Sequence, residues 1–220
     1  MTFPLRLIVT LAVASAAIAP LAAQAPRSPD SLALAVQERY QQVRDFTAEF
    51  VQTLRGGVLR STESRGEGTV WIKKPGKMRW VYTKPEKQEI VSDGRTMHSY
   101  WPEDRQVLKS EVPSDDRAGT SMLFLAGRGD IARDFTAAAA DSPLPGTLGL
   151  KLTPRQSDPE YQFLVLGLDP KSLQIRALRS RDHQGGDSTL VFSKIKENTN
   201  IPDRTFSFTP PRGVIVEEAF

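Results

Sequence analysis

The amino-acid sequence predicts an α+β, mainly β fold, namely an unclosed antiparallel half-barrel covered by a helical lid. Apolar and polar residues alternate with a period of two along most of the chain, as they do in half-buried strands. Pairs such as Asp93-Gly94 and Gly185-Gly186 separate these stretches and are typical of tight turns. Helical spacing is confined to one long segment and one or two short ones, which suits a curved sheet plugged from one side.

The N-terminus has the features of a secretory signal peptide. Arg6 precedes an apolar run over 7–19, and this run is too short to span a bilayer core, which needs roughly 20 residues. Small residues at 22–25 offer an A-x-A cleavage pattern. We therefore expect a signal peptide at 1–25, cut near 22–25, followed by a single domain at 26–220 that works in the periplasm.

The chain contains no cysteine. Bacterial lipoproteins carry their acyl chains on an N-terminal cysteine, so we expect this protein to be soluble after cleavage, without disulfides or thiolate metal sites. About 195 residues are enough to bury a core without such cross-links. The formal charge of +3 comes from interspersed acidic and basic residues, so nucleic acid is not a predicted partner.

The first half of the domain predicts a helix followed by strands. Ser28-Pro29-Asp30 has the pattern of a helix start, and apolar residues at helical spacing extend this helix over about 29–44. The period then changes to two. Strands are predicted at 46–54, 66–72 and 78–82. Beyond them, Asp93-Gly94 suits a type I′ hairpin turn between 89–91 and 97–100.

The second half predicts a short helix and four further strands. An apolar run at 121–126 lies between polar loops, and we expect it to form a short helix across one face of the sheet. The remaining strands are predicted at 148–152, 161–168, 175–181 and 188–195. Successive strands of this kind form an antiparallel meander.

The sequence offers no recognisable catalytic site. His98 and His183 lie outside any close His or carboxylate motif, so a metal site is not expected, and nucleophile-elbow and phosphate-loop motifs are absent. One unusual feature is a set of aromatic residues and Met at period two, which fits either an ordinary barrel core or a ligand-lined cavity. The set consists of Phe46, Phe50, Met78, Trp80, Tyr82 and Tyr100.

Several strings resemble the LolA family of periplasmic lipoprotein carriers. The first two strands of the family are similar to Phe46-x-Ala48-x-Phe50-x-Gln52 and to Gly66-x-Gly68-x-Val70-Trp71-Ile72-Lys73-Lys74-Pro75, with Trp80 at the family spacing. The central hairpin is similar to Val91-Ser92-Asp93-Gly94 with Tyr100-x-Pro102. The C-terminal signature is similar to Phe206-x-Phe208-x-Pro210-Pro211-x-Gly213-Val214.

The resemblance implies a carrier without catalytic chemistry or cofactor, whose apolar sheet face receives acyl chains. The implied cavity residues are Phe46, Phe50, Val70, Ile72, Met78, Trp80, Tyr82, Val91 and Tyr100, and the implied lid residues are Met122, Leu123, Phe124 and Leu125. In the family, a basic residue just before the proline of the Lys-Lys-Pro-type string hydrogen-bonds lid-helix carbonyls and keeps the unliganded form closed. Lys74 takes this place here, as a compact donor without arginine's planar fork.

The implied partners are acylated lipoproteins as cargo, an inner-membrane LolCDE-type ABC exporter and an outer-membrane LolB-type receptor, with the carrier itself a monomer. The alternative is a LolA-like periplasmic regulator that senses lipid or lipoprotein, but such regulators carry a second domain for which we expect no room. A LolB-type receptor would need a lipidated cysteine. An enzyme ranks last among these readings.

Overall fold

A computed structural model of the protein describes residues 28–56, 63–112, 125–127 and 130–218. The predicted signal peptide and its cleavage site lie outside these residues. So do Met122, Leu123 and Phe124 of the predicted lid helix, whereas Leu125 is described and is helical. Within the described ranges, no helix has the length and apolar character needed to cross a bilayer.

Strands dominate the described chain. The helical elements are α1 (Pro29–Gln41), α2 (Ile131–Asp134) and a 3₁₀-helix (Asp203–Phe206). The strands are β1 (Asp45–Arg55), β2 (Ser64–Lys73), β3 (Lys77–Lys84), β4 (Gln88–Asp93), β5 (Thr96–Trp101), β6 (Gln106–Glu111), β7 (Phe135–Ala139), β8 (Leu148–Pro154), β9 (Phe163–Leu168), β10 (Ile175–Arg181), β11 (Asp187–Glu197) and β12 (Ile215–Glu218).

The strands form one open sheet in the order β12-β6-β5-β4-β3-β2-β1-β11-β10-β9-β8-β7. Neighbours run antiparallel except β12, which lies parallel to β6. Because β12 and β7 are opposite edges of the sheet, the barrel is unclosed, which confirms the predicted fold class. The sequence did not predict β6, β7 or β12. The last two lack a clear apolar alternation, since β7 is alanine-rich and β12 is exposed along its whole length.

Helix α1 begins where the sequence predicts. The Ser28 hydroxyl accepts from the Ser31 N–H at 3.2 Å, and Pro29 occupies the first turn, where its missing N–H costs no helical hydrogen bond. The helix ends at Gln41, before the predicted position 44. Its buried residues include Leu32 and Val36, and it contacts α2, β7 and β8, so it covers one end of the sheet.

Strands β4 and β5 form the predicted hairpin, but the turn is not the predicted type I′. Ser92 pairs with Met97, and the two loop residues between the strands are Gly94 and Arg95. Only Gly94 has a positive φ, of 96°. A positive φ at the first loop residue alone is the pattern of type II′. The Asp93 carboxylate accepts from the N–H groups of Arg95 and Thr96, each at 2.8 Å, and so stabilises the turn.

The strand registers divide the sheet into two faces. Residues that pair across strands share a face, and so do residues two apart along one strand. Trp80 pairs with Val70 and Ile90, and all three belong to one buried cluster with Val36 of α1. We call the side of the sheet on which α1 packs the inner face, and the opposite side the outer face.

The C-terminal segment covers the outer face of β2 to β5. Its 3₁₀-helix contacts β3 and β4 and buries Phe206. Arg79, on the outer face, donates to the Thr205 carbonyl at 3.0 Å, and the Phe208 ring lies 5.2 Å from the His98 ring. This part of the sheet is therefore packed on both faces.

Candidate functional site

Most of the predicted cavity residues lie together on the inner face, where they pair across β1, β2 and β3. They are at most 9% exposed. Phe50 is central, since its ring makes edge contacts with Trp80 at 5.0 Å and Tyr82 at 4.9 Å between centroids. The inner-face members of the predicted set are Phe46, Phe50, Val70, Ile72, Met78, Trp80 and Tyr82.

The structure places Val91 and Tyr100 on the outer face, which corrects their assignment to the cavity. Val91 pairs with Arg79, and Tyr100 pairs with Glu89. The Tyr100 ring packs against Phe208, 5.7 Å away. Because the C-terminal segment buries this outer surface, apolar residues occur on both faces of β4, and sequence alternation cannot say which face is which. Ile90 is the apolar inner-face residue of this strand.

A leucine-rich half of the inner face was missed by the sequence analysis. These leucines come from β8 to β11 and are at most 2% exposed. Their period-two spacing, most evident in β9, is the signal that could have found them. They are Leu150, Leu152, Leu164, Leu166, Leu168, Leu178 and Leu190. The inner face therefore has an aromatic half and an aliphatic half, joined where β1 pairs with β11.

Glycines in β2 let neighbouring groups approach the inner face closely. A Cβ atom on Gly66 would lie 3.2 Å from the Tyr82 ring, and one on Gly68 would lie 1.9 Å from the Val81 carbonyl oxygen. A side chain at either position would displace strand β3 or the ring of Tyr82. The structure identifies the Tyr82 ring as the group that approaches Gly66.

Three polar side chains on the inner face are joined by hydrogen bonds at the edge of the aromatic half. The Tyr82 hydroxyl donates to Gln52 Oε1 at 3.0 Å, and Gln52 Nε2 donates to Ser188 Oγ at 3.0 Å. Burial raises the pKa of Tyr82 to about 12, so the phenol keeps its proton at neutral pH. We call Gln52, Tyr82 and Ser188 the polar band.

The described side chains of the inner face pack closely, since those of β1 to β3 named above are at most 9% exposed. A pocket beside the lid residue Leu125 has a cavity volume of about 10 Å³, which is room for about one water molecule. Phe46 and Phe192 line it from the sheet, and Tyr40 lines it from α1. This pocket is too small for an alkyl chain while Leu125 lies against Phe46 and Phe192. We call this arrangement, in which Leu125 is buried against the inner face, the closed state.

Lys74 connects the sheet to the elements that cover it. Its ammonium donates to the Tyr40 carbonyl in the last turn of α1, where a cation also interacts favourably with the helix dipole, and lies 5.1 Å from the Tyr40 ring centroid. Gly127 packs on the Lys74 stem, since a Cβ there would lie 2.6 Å from Cδ. The Gly76 N–H donates to the Ala126 carbonyl at 2.9 Å. The turn at 74–76 thus contacts both α1 and the chain that follows the lid.

A second set of contacts fixes the end of α1. Arg39 binds both carboxylate oxygens of Glu197, at 2.7 and 3.0 Å, and donates to the Ser172 carbonyl at 2.7 Å. The Tyr40 hydroxyl accepts from the Ile175 N–H at 3.1 Å. These bonds link α1 to β10 and β11 without involving Leu125.

Burial lowers the pKa of Lys74 to about 8, with a further lowering by the nearby Arg39 charge and an opposing effect of Glu197. In the unfolded chain the Lys74 ammonium keeps its ordinary pKa of 10.5. Between about pH 8 and pH 10.5 the unfolded state therefore binds more protons than the folded state. The free energy of unfolding rises with pH across this window. Below about pH 8 Lys74 is protonated in both states, and its contribution to the free energy of unfolding no longer changes with pH.

Lys74→Met is expected to flatten this pH dependence. The free energies of unfolding of wild type and variant are measured by urea titration between pH 7 and 10.5. The wild-type value minus the variant value should increase steadily between about pH 8 and pH 10.5. Lys171→Met removes an exposed lysine and controls for the loss of one charge. A constant difference between wild type and Lys74→Met would show that Lys74 is not desolvated in the closed protein.

The chemistry available on the inner face is apolar burial with a few hydrogen-bonding groups. Over the described part of the chain, no group of three His, Asp or Glu side chains is placed to hold a metal ion. The arrangement is suited to shielding alkyl chains from water.

Comparisons with known proteins agree with this geometry. Residues 41–209 match the family model described as "Outer membrane lipoprotein carrier protein LolA". An outer-membrane lipoprotein carrier protein of Cupriavidus pinatubonensis is 30% identical over 94% of this chain and 96% of its own length. One from Dechloromonas aromatica is 32% identical over 79% of this chain and 81% of its own length. For the fold alone, an uncharacterized conserved protein from Thermus thermophilus superposes with a TM-score of 0.52 at 14% identity, over 85% of this chain and 99% of its own.

Proposed function

The chain belongs to the LolA family of outer-membrane lipoprotein carrier proteins, and from this premise we propose that it collects lipoproteins released from the inner membrane, shields their acyl chains against the inner face, and delivers them to an outer-membrane receptor. It works in the periplasm by binding and transport, without a catalytic step. The observation that supports this most is an inner face made of buried apolar residues from β1 to β4 and β8 to β11.

The energetics of the closed state suit a reversible carrier. Moving each methylene from water to an apolar site is worth about 0.8 kcal/mol, so one long acyl chain alone would bind too tightly for release. Opening the closed protein separates Leu125 from Phe46 and Phe192 and breaks the contacts of the 74–76 turn with the chain around it. These losses subtract from the gross binding energy and leave an affinity that a receptor can overcome.

Lys74 serves as the latch of this closed state. Its acceptor is the Tyr40 carbonyl of α1, and its stem packs on Gly127 beside the lid. Movement of the lid would expose the ammonium to water, so cargo binding and re-solvation of Lys74 accompany each other. An inner-membrane ATP-driven exporter of the LolCDE type supplies the energy for loading, and a receptor of the LolB type accepts the cargo.

The carrier is favoured over the lipid-sensing regulator that the sequence left open. Both curated relatives described above are named as carriers, and this chain covers most of the length of each. In either case the inner face binds acyl chains. The carrier additionally has to release them.

Lipoprotein release from membranes tests the proposal. The purified protein is added to inner-membrane vesicles that hold a matched exporter and ATP, and lipoproteins are followed in the supernatant after centrifugation. We expect a soluble one-to-one complex that forms only when both ATP and the protein are present. Lipoproteins that remain in the vesicle pellet under these conditions would refute the carrier function.

A further inference from the structure

The indole N–H of Trp80 has no hydrogen-bond acceptor among the residues that the structure describes. Trp80 lies in the middle of β3 on the inner face and is 0% exposed, and its Nε1 is buried without a partner among the described residues. Indole nitrogen is a donor only, and a buried donor without an acceptor is costly to a folded protein. Orphan groups of this kind are rare in native structures and call for an explanation.

The described neighbours of Trp80 offer its indole N–H no hydrogen-bond acceptor. Its paired neighbours Val70 and Ile90 are aliphatic, and Phe50 and Phe192 are the rings beside it, at 5.0 and 6.4 Å between centroids. Tyr82 lies two residues along the same face, and its hydroxyl is hydrogen-bonded to Gln52 and not to the indole. Among the described residues, the donor is therefore surrounded by aliphatic and aromatic groups.

The polar band beside Trp80 gives the inner face a mixed character. Phe50 contacts the rings of both Trp80 and Tyr82, so the orphan donor and the polar band flank one aromatic residue. The aliphatic half of the face lies on the other side of Gln52, which pairs with Leu190. A ligand that fits this surface has long alkyl chains and an oxygen acceptor at their polar end. Plain hydrocarbon would leave the N–H unsatisfied.

We propose that Trp80 Nε1 donates a hydrogen bond to a carbonyl oxygen of ester-linked acyl groups when the lid is open. This rests on the proposed carrier function and names the part of the cargo that the site recognises beyond its alkyl chains. The N–H is already withdrawn from water in the closed protein, so the new bond replaces no protein–water bond. It therefore contributes more to binding than a donor that must first be desolvated.

A matched pair of ligands tests the proposal. Dissociation constants are measured for two synthetic lipopeptides with the same chain lengths, one with ester-linked and one with ether-linked chains. We expect the wild type to bind the diester about tenfold more tightly, which corresponds to about 1.4 kcal/mol. Trp80→Phe should bring the two constants to about the same value. Trp71→Phe, on the outer face opposite Arg79, should retain the preference.

The wild-type protein provides a second measurement that needs no variant. In ¹H–¹⁵N spectra the Trp80 indole signal should shift downfield with the diester but not with the diether, while that of Trp71 stays in place. Repeating the binding and the spectral measurements with diacyl and dialkyl phosphatidylcholine distinguishes lipoprotein from phospholipid as the source of the ester. A preference that survives in Trp80→Phe, or equal binding of both lipopeptides by the wild type, overturns this inference alone. Failure to bind either lipopeptide overturns the carrier function and this inference with it.

Discussion

Leu125→Glu is expected to raise the apparent affinity for an uncharged fluorescent acyl probe by on the order of 100-fold. Leu125 is 3% exposed and lines the small pocket together with Glu197. A carboxylate here would be desolvated, a penalty of a few kcal/mol that applies only while the lid is closed. Because apparent affinity scales with the population of the open state, relieving closure tightens binding until the open form dominates.

Fluorescence titration measures this effect, and two variants control it. Leu125→Met keeps an apolar side chain of similar volume and should bind the probe as the wild type does. Leu34→Glu adds the same charge at a position of α1 that is 52% exposed and should change little. Leu125→Glu, which is expected to bind more tightly, should also transfer cargo to a receptor more slowly than the wild type. An unchanged affinity of Leu125→Glu would mean that Leu125 does not gate the inner face.

Phe50→Ala is expected to lower the free energy of unfolding by about 3–5 kcal/mol, as truncation of buried aromatic residues does. Phe50 is 2% exposed, and it is the ring that contacts both Trp80 and Tyr82. Its removal leaves a cavity bounded by β2 and β3 that their paired backbones cannot close.

Urea denaturation with a common m-value measures this loss. Phe163→Ala is the matched control, since Phe163 lies half-buried on the outer face with the Lys151 amine 4.1 Å from its ring centroid. We expect the control to lose less than half as much stability. A loss below about 1 kcal/mol in Phe50→Ala would contradict the central place of Phe50 in the packed inner face.

The strands with the clearest alternation could be predicted from the sequence, and so could the residues they place on the inner face. In β3, Met78, Trp80 and Tyr82 alternate with Lys77, Arg79 and Val81, so one face is unambiguously the more apolar. In β4 the pattern is ambiguous. Ile90 and Val91 are both buried, one by the core and the other beneath the C-terminal segment, and only the cross-strand register separates them.

The hydrogen bond of Lys74 could be predicted only in part. The resemblance pointed to Lys74 and to carbonyl acceptors, but the acceptor observed is Tyr40 of α1, far from Lys74 in sequence. No local pattern connects these residues, because a long-range contact depends on how α1 packs on the sheet. The Arg39–Glu197 pair was missed for the same reason.

Isotope-filtered nuclear Overhauser effects between a ¹²C acyl ligand and the ¹³C-labelled wild-type protein test the central claim most directly, because they report contacts only within about 5 Å. If acyl chains bind the inner face, cross-peaks should connect ligand methylenes to the methyl groups of Val70, Ile72 and Leu190. Val91 and Val191, on the outer face, should give none. Cross-peaks to the outer-face valines without any to the inner-face residues would contradict the account.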